Sequence, residues 1–420
     1  MKQGARLAAA VEILDDMAAH HRTAQLALAD WGKSHRFAGS GDRAAIGTLV
    51  YDVLRRKQSL AAQMQSETSR ALVLAAAPRA FGLSNDAVLA LADGSEHALA
   101  PASSDEVSGL ARELGEETPA HVRGDYPEWL QTSLHRAFGS DAAAEGAALA
   151  MRAPVDLRVN LLKADRDKVL KALAHFGATA TPISPVGVRI AAPEGAAKAP
   201  HVEAEAAHGK GWFEVQDEGS QIAAAIAGAA PRQQVLDLCA GSGGKTLAMA
   251  AGMQNTGQIM AYDRDKSQLR PIFERLKRAG VRNVQVMDAG DEAALTRPGA
   301  RFDLVLVDAP CTGSGTWRRK PDAKWRLKPQ NLAQRQDEQR AVLQLAASLV
   351  KPGGRLVYVT CSILPEENQD QIDAFMAAHP QFSALPAALP GLAATTGAVT
   401  LTPRQHQTDG FFVAPLQKAK

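Results

Sequence analysis

The chain has 420 residues, 46% of them hydrophobic, which is too many for one ordinary core and excludes a disordered composition. No apolar run reaches membrane-spanning length, and Glu12, Asp15 and Asp16 interrupt the first apolar stretch, so neither an anchor nor a secretory signal is expected and a cytoplasmic location is. A net charge of +2 leaves any nucleic-acid footprint to local clusters, and three widely spaced cysteines suit neither a disulfide framework nor a metal cluster.

Residues 1 to about 80 place apolar side chains at helical spacing in RLAAAVEILDDMAAH and AAIGTLVYDVLRRKQSL, separated by the turn formers of FAGSGDR. Residues 84 to 124 read as loosely patterned helix and connector. YPEWLQTSLHRAF, 126 to 138, reads as a helix with Pro127 in its first turn. VDLRVNLL, VGVRIAAP and GWFEVQ are strand candidates around a helix at 165 to 176. From about 216 the strands QVLDLC, GQIMAYD, VRNVQVMD, FDLVLVDAP and GRLVYVT alternate with helices at 244 to 251, 265 to 279 and 331 to 350. KPGG, 351 to 354, reads as a helix stop. PEENQDQIDAFMAAH reads as a helix whose first turn carries Pro365 and two glutamates. The alternation predicts a doubly wound α/β domain with a mostly parallel sheet. Three parts follow: helical, 1–140; small α+β, 150–215; Rossmann-like α/β, 216–420.

The stretch Cys239-Ala240-Gly241-Ser242-Gly243-Gly244-Lys245 follows a strand and opens a helix, where glycines admit a close ligand and the helix end offers free amides. A nucleotide phosphate loop would need glycine at 239, where Cys239 stands. A nucleoside site instead needs an acid after the next strand, and Asp263 supplies it. Asp288 closes the strand after that, within reach of a base. Asp308-Ala309-Pro310-Cys311 and Thr360-Cys361-Ser362 end two later strands. In the usual doubly wound order the first, fourth and fifth strands are neighbours, so Gly241, Asp308, Cys311 and Cys361 should converge on one sheet edge. Cys239, inside a strand, reads as a small buried hydrophobe. Lys245 is a nearby cation for a reactive thiol.

LDLCAGSGGKT, AYDRD, VMDAGD, DAPCTGSGTWRRKPDAKW and VYVTCSILPEENQ, in this order, resemble the Sun-type RNA cytosine-5 methyltransferases. RVN at 158–160, QDEGSQ at 216–221 and TDGFFVAPL at 408–416 extend the resemblance over about 150 to 416. It implies S-adenosylmethionine as cofactor, held by residues 239–245 with Asp263, Asp288 and Asp308. It implies Cys361 as the nucleophile at carbon 6 of cytosine, Cys311 as the residue that helps the covalent intermediate break down, and Asp308 and Lys245 as contacts to the base. Ser242 departs from the family, which usually has proline there. DNA cytosine-5 methyltransferases would make Cys311 the nucleophile, but their Pro-Cys-Gln and Glu-Asn-Val signatures are absent.

Arg318, Arg319, Lys320, Lys324 and Arg326, interleaved with Trp317 and Trp325, read as an RNA-guiding surface, since cations track phosphates and aromatic rings stack bases. The N-terminal segment GSGDRAAIGTLVYDVLRRK resembles the NusB-like RNA-binding domain attached to small-subunit rRNA methyltransferases of this family. Arg36, Arg43, Arg55 and Arg56 are its candidate phosphate contacts. The resemblance favours rRNA over tRNA as substrate. A monomer with no metal and no membrane partner is expected. A non-catalytic assembly factor is the competing class, and the intact cysteine pair argues against it.

Overall fold

A computed structural model describes residues 1–420 apart from Glu194, Ala196, Lys198, Pro298 and Ala394. The chain divides into two compact units. One comprises Met1–Ala153, Ala192–Ala199 and Trp317–Leu327; the other comprises Pro154–Ala191, Pro200–Thr316 and Lys328–Lys420.

The first unit is helical. Its helices Gln3–His20, Ser40–Arg55 and Ser69–Phe81 bury Leu7, Ile13, Ile46, Leu49, Val50, Val73 and Leu74 in one core. Thr68 caps the third of these by accepting the Ala71 amide. Pro127 lies before the expected helix: a 3-10 turn, Glu128–Leu130, runs into helix Gln131–Phe138. The segment 317–327 joins this unit, although the sequence places it inside the α/β domain. Trp317 is buried, and the Trp325 indole donates to the Leu54 carbonyl at 2.6 Å.

The second unit holds two sheets. Strands β1 (Val155–Val159), β2 (Thr179–Ala180), β3 (Gly187–Ile190) and β4 (Phe213–Val215) form an antiparallel sheet in the order β2-β3-β1-β4. Leu157, Val159, Val188 and Phe213 pack there with Val169 and Leu173 of the adjoining helical segment.

The larger sheet contains β5 (Gln234–Asp237), β6 (Gln258–Ala261), β7 (Val284–Val286), β8 (Phe302–Asp308), β9 (Val350–Thr360), β10 (Phe382–Ala384), β11 (Val399–Leu401) and β12 (Phe411–Lys418). Its order is β10-β12-β9-β8-β5-β6-β7, with β11 on β12. Strands β5 to β9 are parallel, and β12 adds antiparallel to β9. This is a Rossmann-like arrangement, and β5, β8 and β9 are neighbours as the doubly wound order requires. Alternate side chains serve opposite faces: Val305, Val307, Leu356 and Tyr358 fill one core, and Leu304, Leu306, Val357 and Val359 fill the other. Covered on both faces, these strands read in the sequence as continuous apolar runs.

Three local expectations are corrected. The helix expected at 265–279 is two pieces, Lys266–Leu269 and Ile272–Ala279, separated at Pro271, which lacks the N–H to continue the ladder. The helix Pro329–Leu349 ends before KPGG, but KPGG itself is the start of β9, with Gly353 at φ +72°. In PEENQ the expected first helical turn is instead a 3-10 turn, Pro365–Glu367, and Asn368 separates it from helix Gln369–Ala378.

Candidate active site

The glycine turn leaves β5 and enters the helix Gly244–Gly252. Gly243 has φ +83°, and a Cβ there would meet Ile272 at 2.4 Å, so only glycine fits. A Cβ at Gly241 would meet nothing within 4 Å, so this flank of the turn is open to a ligand. Asp263, beyond β6, accepts the Gly241 amide at 2.9 Å and fixes the turn beneath it. Asp288 follows β7 and is exposed. The turn closes on itself through Gly243 N–H to the Ala240 carbonyl, and Ala240 N–H donates to the Tyr262 carbonyl.

Several props of this turn escaped sequence reasoning. Buried Arg158 of β1 donates to the Gly244 carbonyl at 2.9 Å, and burial pushes its guanidinium down to about 10. Arg275 donates to the Ser242 carbonyl and hydroxyl and pairs with Glu214 of β4 at 3.1 Å. The small sheet therefore braces the glycine turn. Serine at 242 supplies a hydroxyl that proline could not.

Carboxylates crowd this end of the sheet. Asp237 is fully buried; its Oδ2 accepts the Thr246 hydroxyl at 2.6 Å and its Oδ1 has no partner. Burial, with Asp308 and Asp263 adding repulsion, raises its carboxyl to about 7. Burial and the same carboxylates push the Cys239 thiol well up, so it stays protonated. Lys245, almost wholly buried, donates to Asp308 Oδ2 at 2.7 Å and lies over the Phe411 ring. Among the described residues its partners are these, not a thiol; the expected cation beside a cysteine is instead an ion pair with Asp308.

The two thiols meet. Cys311 Sγ and Cys361 Sγ are 3.4 Å apart, beyond the carboxyl ends of adjacent parallel strands β8 and β9. The hydrogen bond to Cys361 and then burial raise Cys311 well above an ordinary thiol, so it is neutral near pH 7. Backbone bonds lash the two loops together: Gly315 N–H donates to the Cys361 carbonyl and Gly410 N–H to the Gly315 carbonyl. A Cβ on Gly315 would meet the Gly410 carbonyl at 2.1 Å, so the approach requires glycine.

Behind the thiols lies a buried network that the sequence reading missed. Glu367 accepts Thr312 N–H at 2.8 Å, Thr312 Oγ1 at 2.5 Å and Gln339 Nε2 at 3.0 Å. Asn368 accepts the Thr360 hydroxyl and donates to the Ser362 carbonyl, one residue to either side of Cys361. Glutamates after a proline read as the first turn of a helix. The only sequence signal for burial was the polar run directly following the cysteine strand.

The basic cluster is corrected. Lys324 is 1% exposed; its ammonium donates to the Arg55 carbonyl at 2.9 Å and stacks near Trp325, and burial pushes it down to about 7. Arg318 is also buried, and Arg326 pairs with Asp322. Only Arg319, Lys320 and Arg326 of the five are exposed. Trp317 is buried, and Trp325 packs against the helical core.

The family described as 16S rRNA methyltransferase RsmB/F matches residues 225–417, and an RsmF/B-like ferredoxin-like domain matches residues 126–196. A probable ribosomal RNA small subunit methyltransferase B of Synechocystis is 34% identical over 307 residues, spanning 70% of this chain and 67% of its own. The ribosomal RNA small subunit methyltransferase B of Sodalis glossinidius is 34% identical over 325 residues, 74% of this chain and 72% of its own. Among solved structures, PH0851 superposes with a TM-score of 0.75 at 25% identity, covering 100% of this chain and 99% of that one. A methyltransferase homolog from Pyrococcus horikoshii gives 0.60 at 28% identity, covering 71% and 97%.

Proposed function

Because the chain belongs to the RsmB/F family of 16S rRNA methyltransferases, and is thus an RNA methyltransferase, we propose that it methylates carbon 5 of a cytosine in small-subunit rRNA through a cysteine–cytosine adduct. The observation that carries this reading is the thiol pair, 3.4 Å apart beyond the carboxyl ends of β8 and β9. The role of nucleophile goes to Cys361 because Thr360-Cys361-Ser362 resembles the segment that carries it in the Sun-type family.

Carbon 5 of cytosine is a weak nucleophile. Addition of the Cys361 sulfur to carbon 6 makes the ring enamine-like, so that carbon 5 can bond to an electrophilic methyl; a base then takes the carbon 5 proton, the 5,6 double bond re-forms and the sulfur leaves. Cys311, in contact with the same sulfur, is placed to assist that expulsion. Asp308, held by Lys245, presents a carboxylate edge for the exocyclic amine of the base.

S-adenosylmethionine, when bound, supplies an electrophilic methyl group. The residues fit such a ligand. Asp237, Asp263 and Asp308 repel one another, the Asp237 Oδ1 is an unpartnered buried acceptor, and the ligand brings a sulfonium and an ammonium. The open flank of Gly241 and the carboxylate of Asp263 would hold its nucleoside part. Asp263→Ala is expected to weaken S-adenosylmethionine binding about 10- to 100-fold by calorimetry, as one or two charged hydrogen bonds are lost. Unchanged affinity would move the cofactor elsewhere.

The three parts, 1–140, 150–215 and 216–420, act in this reading as RNA-binding, bracing and catalytic, with the helical part NusB-like. The test is transfer of labelled methyl from S-adenosylmethionine to unmodified small-subunit rRNA and to tRNA, followed by nucleoside analysis. 5-Methylcytidine in the rRNA is the expected product. Label in tRNA alone would reassign the substrate, and label on another base would overturn the cysteine chemistry.

A further inference from the structure

The helical unit contains a cavity of about 300 Å³ lined by Arg55, Arg56, Arg79 and Arg152, with Asp52 the one carboxylate among the described lining residues. At about 30 Å³ per water it has room for a tetrahedral anion and several waters. The arginines arrive from three separate helix ends: Ser40–Arg55, Ser69–Phe81 and, just beyond it, Ala142–Leu149.

Asp52 answers the first two, at 3.9 Å from Arg55 and 3.1 Å from Arg56. It does not answer the others. Arg152 donates to the carbonyls of Gly195 and Ala197, and Arg79 Nη2 lies 3.5 Å from the Met151 sulfur. The buried Arg55 Nε has no acceptor at all. Asp125 adds a favourable charge at Arg56, and the three helix C-termini contribute roughly −0.5 charge each, which still leaves the four guanidiniums in excess. The like charges are felt: on top of burial, Arg152 lowers Arg55, which sits at about 10, and Arg79 lowers Arg56.

Four converging guanidiniums that share one lining carboxylate call for an oxyanion, and their planar forks match phosphate oxygens in pairs. We infer that this cavity is a phosphate site in the helical unit, and that it holds a backbone phosphodiester of the RNA substrate. The inference rests on the reading that the chain acts on RNA. It draws on two residues, Arg79 and Arg152, that the sequence did not single out. Phosphate contacts position a nucleic acid without reading its sequence, so the site would set affinity and register rather than choice of base.

The experiment uses the full chain and an unmodified small-subunit rRNA fragment, with binding measured by anisotropy over a range of salt. Arg79→Ala with Arg152→Ala is expected to weaken binding about 10-fold or more and to lower the slope of log K against log salt by about 0.7 to 0.9 for each phosphate no longer neutralised. Arg79→Glu, at an exposed position, should weaken it further while thermal melting and the Kd for S-adenosylmethionine stay unchanged. Inorganic phosphate should compete with RNA in wild type and less so in the double variant. Unchanged affinity and slope in all variants would overturn the inference, even if wild type methylates the RNA normally. Arginine-dependent capture of inorganic phosphate with no effect on RNA would also overturn it, making the cavity a site for free phosphate. If wild type neither binds nor methylates RNA, the functional reading itself falls, and this inference falls with it.

Discussion

Cys361→Ala is expected to lower methyl transfer by at least about 10⁴-fold, the scale seen when a covalent nucleophile is removed from a unit that acts together. Cofactor affinity should be nearly unchanged, because the cofactor loop lies on β5 and the thiol on β9. Cys311→Ala should behave differently. It keeps the attacking sulfur and removes the neutral thiol 3.4 Å away, so a covalent protein–RNA adduct should form and persist. Denaturing gels with labelled RNA separate the two: a shifted band that survives denaturation in Cys311→Ala, and none in Cys361→Ala. The reverse pattern would exchange the roles of the two cysteines. Cys→Ala removes a single sulfur atom at each position, so the packing risk is small.

Which parts of this site could be read from the sequence follows from range. The glycine turn, Asp263 and the two cysteine loops are each specified within about ten residues, and the convergence of β5, β8 and β9 follows from doubly wound topology. The C-terminal strands β10, β11 and β12 were not predicted, because their pairing is antiparallel across long separations and β12 carries Pro415 on a strand with neighbours on both sides. Pro415 could sit there only because the fold is set elsewhere. KPGG looked like a stop because glycine and proline usually end elements; here Gly353 turns the chain into β9. The basic cluster misled for another reason. A lysine such as Lys324 is ordinarily solvated, and only tertiary packing reveals that its ammonium is spent on the Arg55 carbonyl. Arg158, Glu214 and Arg275 act on a glycine turn some thirty to ninety residues away, beyond any local pattern.

Glu367→Ala is expected to damage the enzyme without removing any group that touches substrate. Thr312 donates to this carboxylate through its amide and its hydroxyl, and alanine leaves both without that partner, while Gln339 keeps its bond to the Pro310 carbonyl. At about 1 to 3 kcal/mol for each of the two groups, a loss of about 2 kcal/mol or more in stability is expected, read as a fall in melting temperature. Thr312 adjoins Cys311, so its loop is freed, and a misplacement of about 1 Å can cost about 10²-fold in rate. The effect should fall on resolution of the adduct more than on its formation, because Asn368 still holds Thr360 and Ser362, on either side of Cys361, when Glu367 is gone. Glu367→Gln keeps the shape and one acceptor oxygen, so it should recover most of the stability and part of the rate. The pH dependence separates charge from shape. Burial raises the Glu367 carboxyl above its usual 4.5, so between that value and its raised one the folded chain binds more protons than the unfolded chain. The contribution of Glu367 is therefore full below about 4.5 and declines as pH rises through the folded value. Glutamine lacks this decline, so the advantage of wild type over Glu367→Gln should shrink as pH rises across that window. An advantage that grew with pH would mean that the donors, and not burial, govern this carboxyl.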